Sequence, residues 1–320
     1  MELKHVNKLN IRTAAKRENI FRDIKSNPFS YLLLTPSLLY VFIFGYLTMP
    51  YMLIAFQRYN FKLGLLGSQW VGLQNFKFLT IGNTALNVTI TTLKLNLLFI
   101  VFDTLFALFF AIVFNEVRSR LFVRVTQSMF IFPHFLSWVI VSYIVYSFFS
   151  SEYGIVNKLI ASIGIDPVNW YSNAEPWTAI LVVLRTWKDT GLKTVIYLAS
   201  ITAIDNTLYE ASYIDGANRW QKIVHITIPL LMPTVIILTL LAVGKIFYGD
   251  FGMIYAIIRD NGILYPTTDV IDTYVFRSFR MLGDPSQAMA VGFLQSFIGF
   301  ILVFGTNWIT KRAYPDGAIY

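Results

Sequence analysis

Residues 207–229, TLYEASYIDGANRWQKIVHITIP, form a polar stretch between two long apolar segments. Thr207 with Glu210 three residues later reads as a capping box, which predicts a helix from Leu208 with the Glu210 carboxylate reaching back to the cap amide. Gly216 then supplies a left-handed stop. About two turns of helix are too few to be stable alone in water, so the segment needs a surface to dock on.

The rest of the chain says what surrounds that helix. With 56% hydrophobic and 17% aromatic residues it exceeds the roughly 45–50% apolar content of soluble domains, which points to a membrane protein. The absence of cysteine excludes a disulfide framework, thiolate metal sites and a cysteine nucleophile. The net charge of +8 sits mostly at the edges of apolar segments and not on a long aqueous face, which argues against nucleic-acid binding.

Six segments reach the ~20 apolar residues needed to cross a bilayer: 31–56, 88–114, 125–149, 177–200, 229–248 and 288–309. No small-x-small cleavage site follows the first promptly, so it is read as a retained span and not a signal peptide. The fold class is therefore all-α, a polytopic membrane protein whose transmembrane domain covers 28–320, preceded by a basic tail over 1–27. Ile11, Ala14, Ala15 and Ile20 give that tail one weakly apolar face, which suits either a membrane-apposed helix or a solvated tail. Counting Lys and Arg with the N-terminus inside gives fourteen on the cytoplasmic side and seven outside. Basic residues favour the cytoplasmic side, so both termini and the loop at about 205–228, between spans four and five, are placed in the cytoplasm.

Seven charges fall inside the expected spans: Lys94, Asp103, Arg185, Lys188, Asp189, Lys193 and Lys245. Facing lipid, they would together cost on the order of 20 kcal/mol, so they must mostly face protein or water. Arg185, Asp189 and Lys193 are spaced four apart with Lys188 beside them, a basic stripe on one face of span four. Two readings stand: a positively charged translocation path, which His134 would also line, or an ion-paired stripe that joins helices.

Several chemistries are absent. There is no phosphate-binding loop, no G-x-S-x-G elbow and no H-E-x-x-H helix, and the three histidines are too scattered for a metal site. A polytopic membrane enzyme would need clustered carboxylates or histidines near an interface. Asp269, Asp272 and Asp284 are the acidic cluster of note, and their spacing suits solvated or capping groups better.

The quoted loop resembles the EAA motif of binding-protein-dependent ABC importer permeases, EAA-x3-G-x9-I-x-L-P. Glu210-Ala211-Ser212, Gly216, Ile226 and Ile228-Pro229 keep the spacing throughout, with Ser212 for the second Ala and Ile228 for Leu. Pro133-His134-Phe135-Leu136-Ser137-Trp138, Trp187-Lys188-Asp189-Thr190-Gly191, Tyr197-Leu198-Ala199, Asp215-Gly216-Ala217 and Asp272-Thr273-Tyr274-Val275 are similar to the LplB-type branch of carbohydrate permeases, close to those of alginate and pectin-fragment importers.

The resemblance implies a transport subunit in a bacterial inner membrane, paired with a second related permease. It also implies two partner ATPases that hold ATP and Mg, and an extracytoplasmic solute-binding protein. Thr207, Glu210, Ala211, Ser212, Asp215 and Gly216 are then the ATPase-coupling residues. The surplus of Lys and Arg in the spans predicts an acidic saccharide; a neutral oligosaccharide or another solute is the alternative.

Overall fold

The computed structural model describes residues 24–79 and 83–313, so the basic tail expected over 1–27 lies almost wholly outside the described residues. Among the described residues the chain is helical nearly throughout. The exception is a two-residue antiparallel pairing of β1 (Gln57–Arg58) with β2 (Gln69–Trp70). The segment up to Leu53 is a unit of its own: α1 (Pro28–Val41) continues into a π turn at Phe42–Tyr46, with its Phe, Leu and Tyr side chains exposed.

In the second unit, from Ile54 onward, the central element is α2 (Thr84–Glu116), a 33-residue helix. Its buried positions Val88, Thr92, Leu95, Phe99, Asp103, Ala107, Ala111 and Phe114 recur every three or four residues, so they form one stripe along the helix. That stripe meets α6 (Trp177–Thr202) over most of its length. Ala107 and Ala111 are small enough for Tyr197 and Leu198 to pack against α2, and Leu231 closes the same cluster.

Two expected spans depart from expectation: one is broken and one is shifted. The third, expected as one helix over 125–149, is α3 (Arg120–Ile131), a 3-10 turn at Phe132–Phe135 and α4 (Trp138–Phe149), bent by 97°, and the short α5 (Ile155–Ser162) follows it. Pro133 has no N–H to continue the α-helical ladder, and Ser137 caps α4 by accepting from the Ile140 amide at 3.3 Å. The fifth, expected over 229–248, is α8 (Arg219–Val243). It begins earlier, at a capping box of Asn218 with Gln221, passes through a π turn at Ile223–Thr227 and ends before Gly244. Pro229 follows that wider turn, which moves aside the carbonyl that its ring would otherwise strike.

After the second break the chain forms α9 (Phe251–Ile258) against α4, then α10 (Ile271–Leu282) and α11 (Pro285–Ala313). Of the three acids read as solvated or capping, only Asp284 behaves so, accepting from the Ser286 amide at 2.8 Å. Asp269 is buried and ion-paired to Arg277 at 2.6 Å, and Asp272 is half-buried, accepting from Gly249 N–H and Gln295 Nε2. Burial raises the Asp272 carboxyl above the ordinary carboxylate range, against those two donors.

Among the described residues, four helical segments are long and apolar enough to cross a membrane: Pro28–Phe56, Thr84–Glu116, Arg219–Val243 and Pro285–Arg312. The bent pair α3 and α4 makes a fifth if counted as one span. α6 is long enough but carries Arg185, Lys188, Asp189 and Lys193 across its middle.

α6 crosses α3 closely at Gly191. A Cβ at Gly191 would lie 1.9 Å from the Phe130 carbonyl oxygen, a backbone atom that cannot rotate away. Gly191→Ala is expected to destabilise the protein by about 1–3 kcal/mol. Gly305→Ala, inside a helix with nothing within 4 Å, should leave stability unchanged or raise it by up to about 1 kcal/mol. Thermal unfolding of the two variants side by side checks this.

Candidate functional site

The polar stretch from Thr207 to Pro229 folds as α7 (Asn206–Ile214) followed by the start of α8. Its cap is Asp205 and not the expected Thr207–Glu210 box: Asp205 Oδ1 accepts from the Thr207 amide at 2.9 Å, and the helix begins at Asn206. That hydrogen bond holds the Asp205 carboxyl below its ordinary value. A lowered value means that the cap contributes above the ordinary carboxylate range and is lost only as pH falls through the lowered value. Glu210 is therefore released from capping. It is exposed and has no partner among the described residues.

The stop is as expected. Gly216 has φ of 75°, the Ala217 amide donates to the Ser212 carbonyl at 2.9 Å, and the Gly216 amide donates to the Tyr213 carbonyl at 3.1 Å, a Schellman termination. Ser212 Oγ donates to the Tyr209 carbonyl, while Ala211 and Asp215 are exposed. α7 is held to α8 at two points: the Tyr209 hydroxyl shares a hydrogen bond with Thr227 Oγ1 at 2.9 Å, and Lys222 Nζ lies 5.1 Å from the Tyr213 ring centre. Large apolar side chains stay exposed around these contacts, with Tyr213 76%, Ile214 85% and Trp220 72% exposed. Asn206, Tyr209, Glu210, Tyr213 and Ile214 form a shallow concavity there, an apolar patch with one free carboxylate.

The second cluster is built on the middle of α6. Asp189 Oδ1 is 3.3 Å from His134 Nδ1, and Asp189 Oδ2 is 2.8 Å from Arg185 Nε. Arg185 also pairs through its terminal nitrogen with Asp250. One turn further along, Lys193 Nζ is 3.0 Å from Asp103 Oδ2 on α2. Lys188 Nζ is buried and donates to the carbonyls of His134 at 2.6 Å and Pro133 at 3.3 Å, and it lies 5.3 Å from the Trp138 ring centre. Two cations of the stripe, Arg185 and Lys193, thus face three acids, while Lys188 is held by backbone carbonyls.

Lys94 and Lys245 are different. Both are exposed, and neither has a partner among the described residues.

Asp250 is the member that the sequence reading missed. Assigned to the outer connection, it is brought to the level of Arg185 because span five ends early, and it caps α9 by accepting from the Met253 amide at 3.0 Å. An Asp placed three residues before Met253 in an apolar run is a cap signal, and it was available in the sequence. Asn96 and Gln295 were missed too. Asn96 Nδ2 donates to the carbonyls of Ile246 and Tyr248, and Gln295 Nε2 donates to that of Phe247. Among the described residues no group of three or more His, Cys, Asp or Glu could hold a metal ion.

Residues 103–313 match the model of the family described as binding-protein-dependent transport system inner membrane component. The chain is 36% identical over 307 residues to protein LplB of Bacillus subtilis (strain 168), covering 96% of each chain. It is 33% identical over 302 residues to the polygalacturonan/rhamnogalacturonan transport system permease protein YteP of the same organism, covering 94% of each. Its fold superposes on a bacterial ABC transporter involved in the import of the acidic polysaccharide alginate, with a TM-score of 0.83 and 30% identity, over 93% of this chain and 100% of that one. The loop that ends in a Schellman stop and the helical spans around a charged α6 are thus those of a sugar ABC importer permease, and the chain belongs to the binding-protein-dependent inner membrane transport components.

Proposed function

We propose that this permease imports acidic oligo- or polysaccharides by alternating access, and that partner ATPases drive it through α7. The observation that carries the coupling is the free Glu210 carboxylate beside exposed Tyr213 and Ile214, on a helix whose ends are already satisfied by Asp205 and Gly216. Such a surface is built to receive something. Thr207, Ala211, Ser212 and Asp215 border the contact, and small Ala211 and Ser212 allow close approach. Docked ATPases need only bind one permease state more tightly than the other, and a bias of about 5.5 kcal/mol moves a population from 1:99 to 99:1.

The working unit is this chain with a second permease, two ATPases that hold ATP and Mg, and an extracytoplasmic solute-binding protein. Six crossings with both termini cytoplasmic complete the topology. α6 crosses despite its charges because Asp103, Asp189 and Asp250 neutralise most of them.

An acidic cargo is supported by the alginate importer and polygalacturonan permease as relatives and by the two unpaired cations Lys94 and Lys245. Arg185, Lys188 and Lys193 are committed to partners, and their neutralised stripe is the one observation that favours a neutral saccharide instead. With the complete transporter in vesicles, Lys94→Ala combined with Lys245→Ala should lower uptake of uronate oligomers roughly tenfold relative to neutral ones. Equal loss for both classes, or none, would point to the neutral cargo.

Glu210→Gln tests the coupling. Because Asp205 supplies the cap, the variant should keep its helix and stability yet lose roughly tenfold in both uptake and ligand-stimulated ATP hydrolysis, the cost of removing one charge from a docked pair. Unchanged rates would mean that α7 docks without that charge.

A further inference from the structure

The break within the third span and the early end of the fifth, before α9 restarts the chain, pose a common problem. A helix break at membrane depth frees backbone groups that lipid cannot satisfy, so protein side chains must do it. At the first break, Lys188 donates to the carbonyls of Pro133 and His134. At the second, Asp250 accepts from the Met253 amide. Both side chains belong to one connected set, because Arg185 lies between Asp189, which holds His134, and Asp250. The two restarting helices also touch: a Cβ at Gly252 would lie 3.5 Å from Trp138 Cδ1, and α9 packs on α4.

We propose that Arg185 is a positioning residue for transport, a clasp between Asp189 and Asp250 that makes both helix breaks move as one body with α6. This rests on the alternating-access reading above. Both nitrogen edges of Arg185 are taken by carboxylates, and its guanidinium lies 5.8 Å from the Phe99 ring centre. Its role is therefore exerted through the breaks and not on the cargo. Without it, two carboxylates are left facing each other with one cation fewer, and the breaks lose their shared tie.

The test uses the complete transporter in vesicles, with ATP-driven uptake and ligand-stimulated ATP hydrolysis as readouts. Arg185→Gln and Asp250→Asn should each lower uptake roughly tenfold and reduce the ligand stimulation, while the double variant falls no further than the worse single one. Arg185→Lys keeps the charge but has one nitrogen for two carboxylates, so it should recover only part of the loss. Losses that multiply in the double variant, or a Lys variant as active as the parent, would overturn the clasp.

A second readout keeps the idea testable if Arg185→Gln fails to assemble. The chain has no cysteine, so Trp138→Cys with Gly252→Cys introduces one pair of neighbouring thiols across the two breaks, and loss of free thiol on oxidation reports the bridge. Uptake should be the same for the oxidised and reduced forms of that variant, since parts that move together lose nothing by being tied. Arrest on oxidation and recovery on reduction would show that the breaks must separate. If the parent transporter itself shows no ATP-dependent uptake, the proposed function fails; if it does and only the clasp results go the other way, this inference alone falls.

Discussion

Inside a membrane a backbone amide or carbonyl without a partner costs several kcal/mol, and no water is there to help. That constraint explains more of this protein than its apolar content does. Where the helices are continuous they satisfy themselves. Where Pro133 and Gly244 interrupt them, polar side chains from neighbouring helices do the work: Lys188 from α6, Asn96 from α2 and Gln295 from α11. Each is a polar side chain held by a backbone group that another helix has left open.

The charges of α6 follow the same logic. Arg185, Lys188 and Lys193 looked like a surplus because the acids counted against them were only Asp103 and Asp189. The missing partner, Asp250, was hidden by a boundary: hydropathy carries span five on to Tyr248, while the helix ends at Val243 and returns the chain to the level of Arg185. A window average sees apolar side chains and is blind to a turn made of them. For the same reason the bend at Pro133 was read as one straight span, although the proline was in view.

What was legible was local. The helix stop at Gly216, the spacing of the EAA-like loop and the lengths of the uninterrupted spans depend on residues close in sequence. The cap was misassigned by one competing signal: Asp205 and Thr207 both suit the position, and the backbone settled on Asp205, which leaves Glu210 free. Asp269 with Arg277 shows the limit of reading acids by spacing. A carboxylate looks solvated until the fold brings a guanidinium to it and a tyrosine ring, that of Tyr265, over the guanidinium.

The π turn at Ile223–Thr227 entered as an accommodation of Pro229, yet it also decides how α7 is gripped. In an α-helix, residues five apart point in widely different directions. In a π turn they share a side. Lys222 and Thr227 are five apart, and both reach α7, one over Tyr213 and the other to Tyr209. A short helix fastened at a single point would swivel when pushed. Fastened at two, it has no free rotation left, so force applied at Ile214 is handed to α8 as displacement instead of being dissipated as spin.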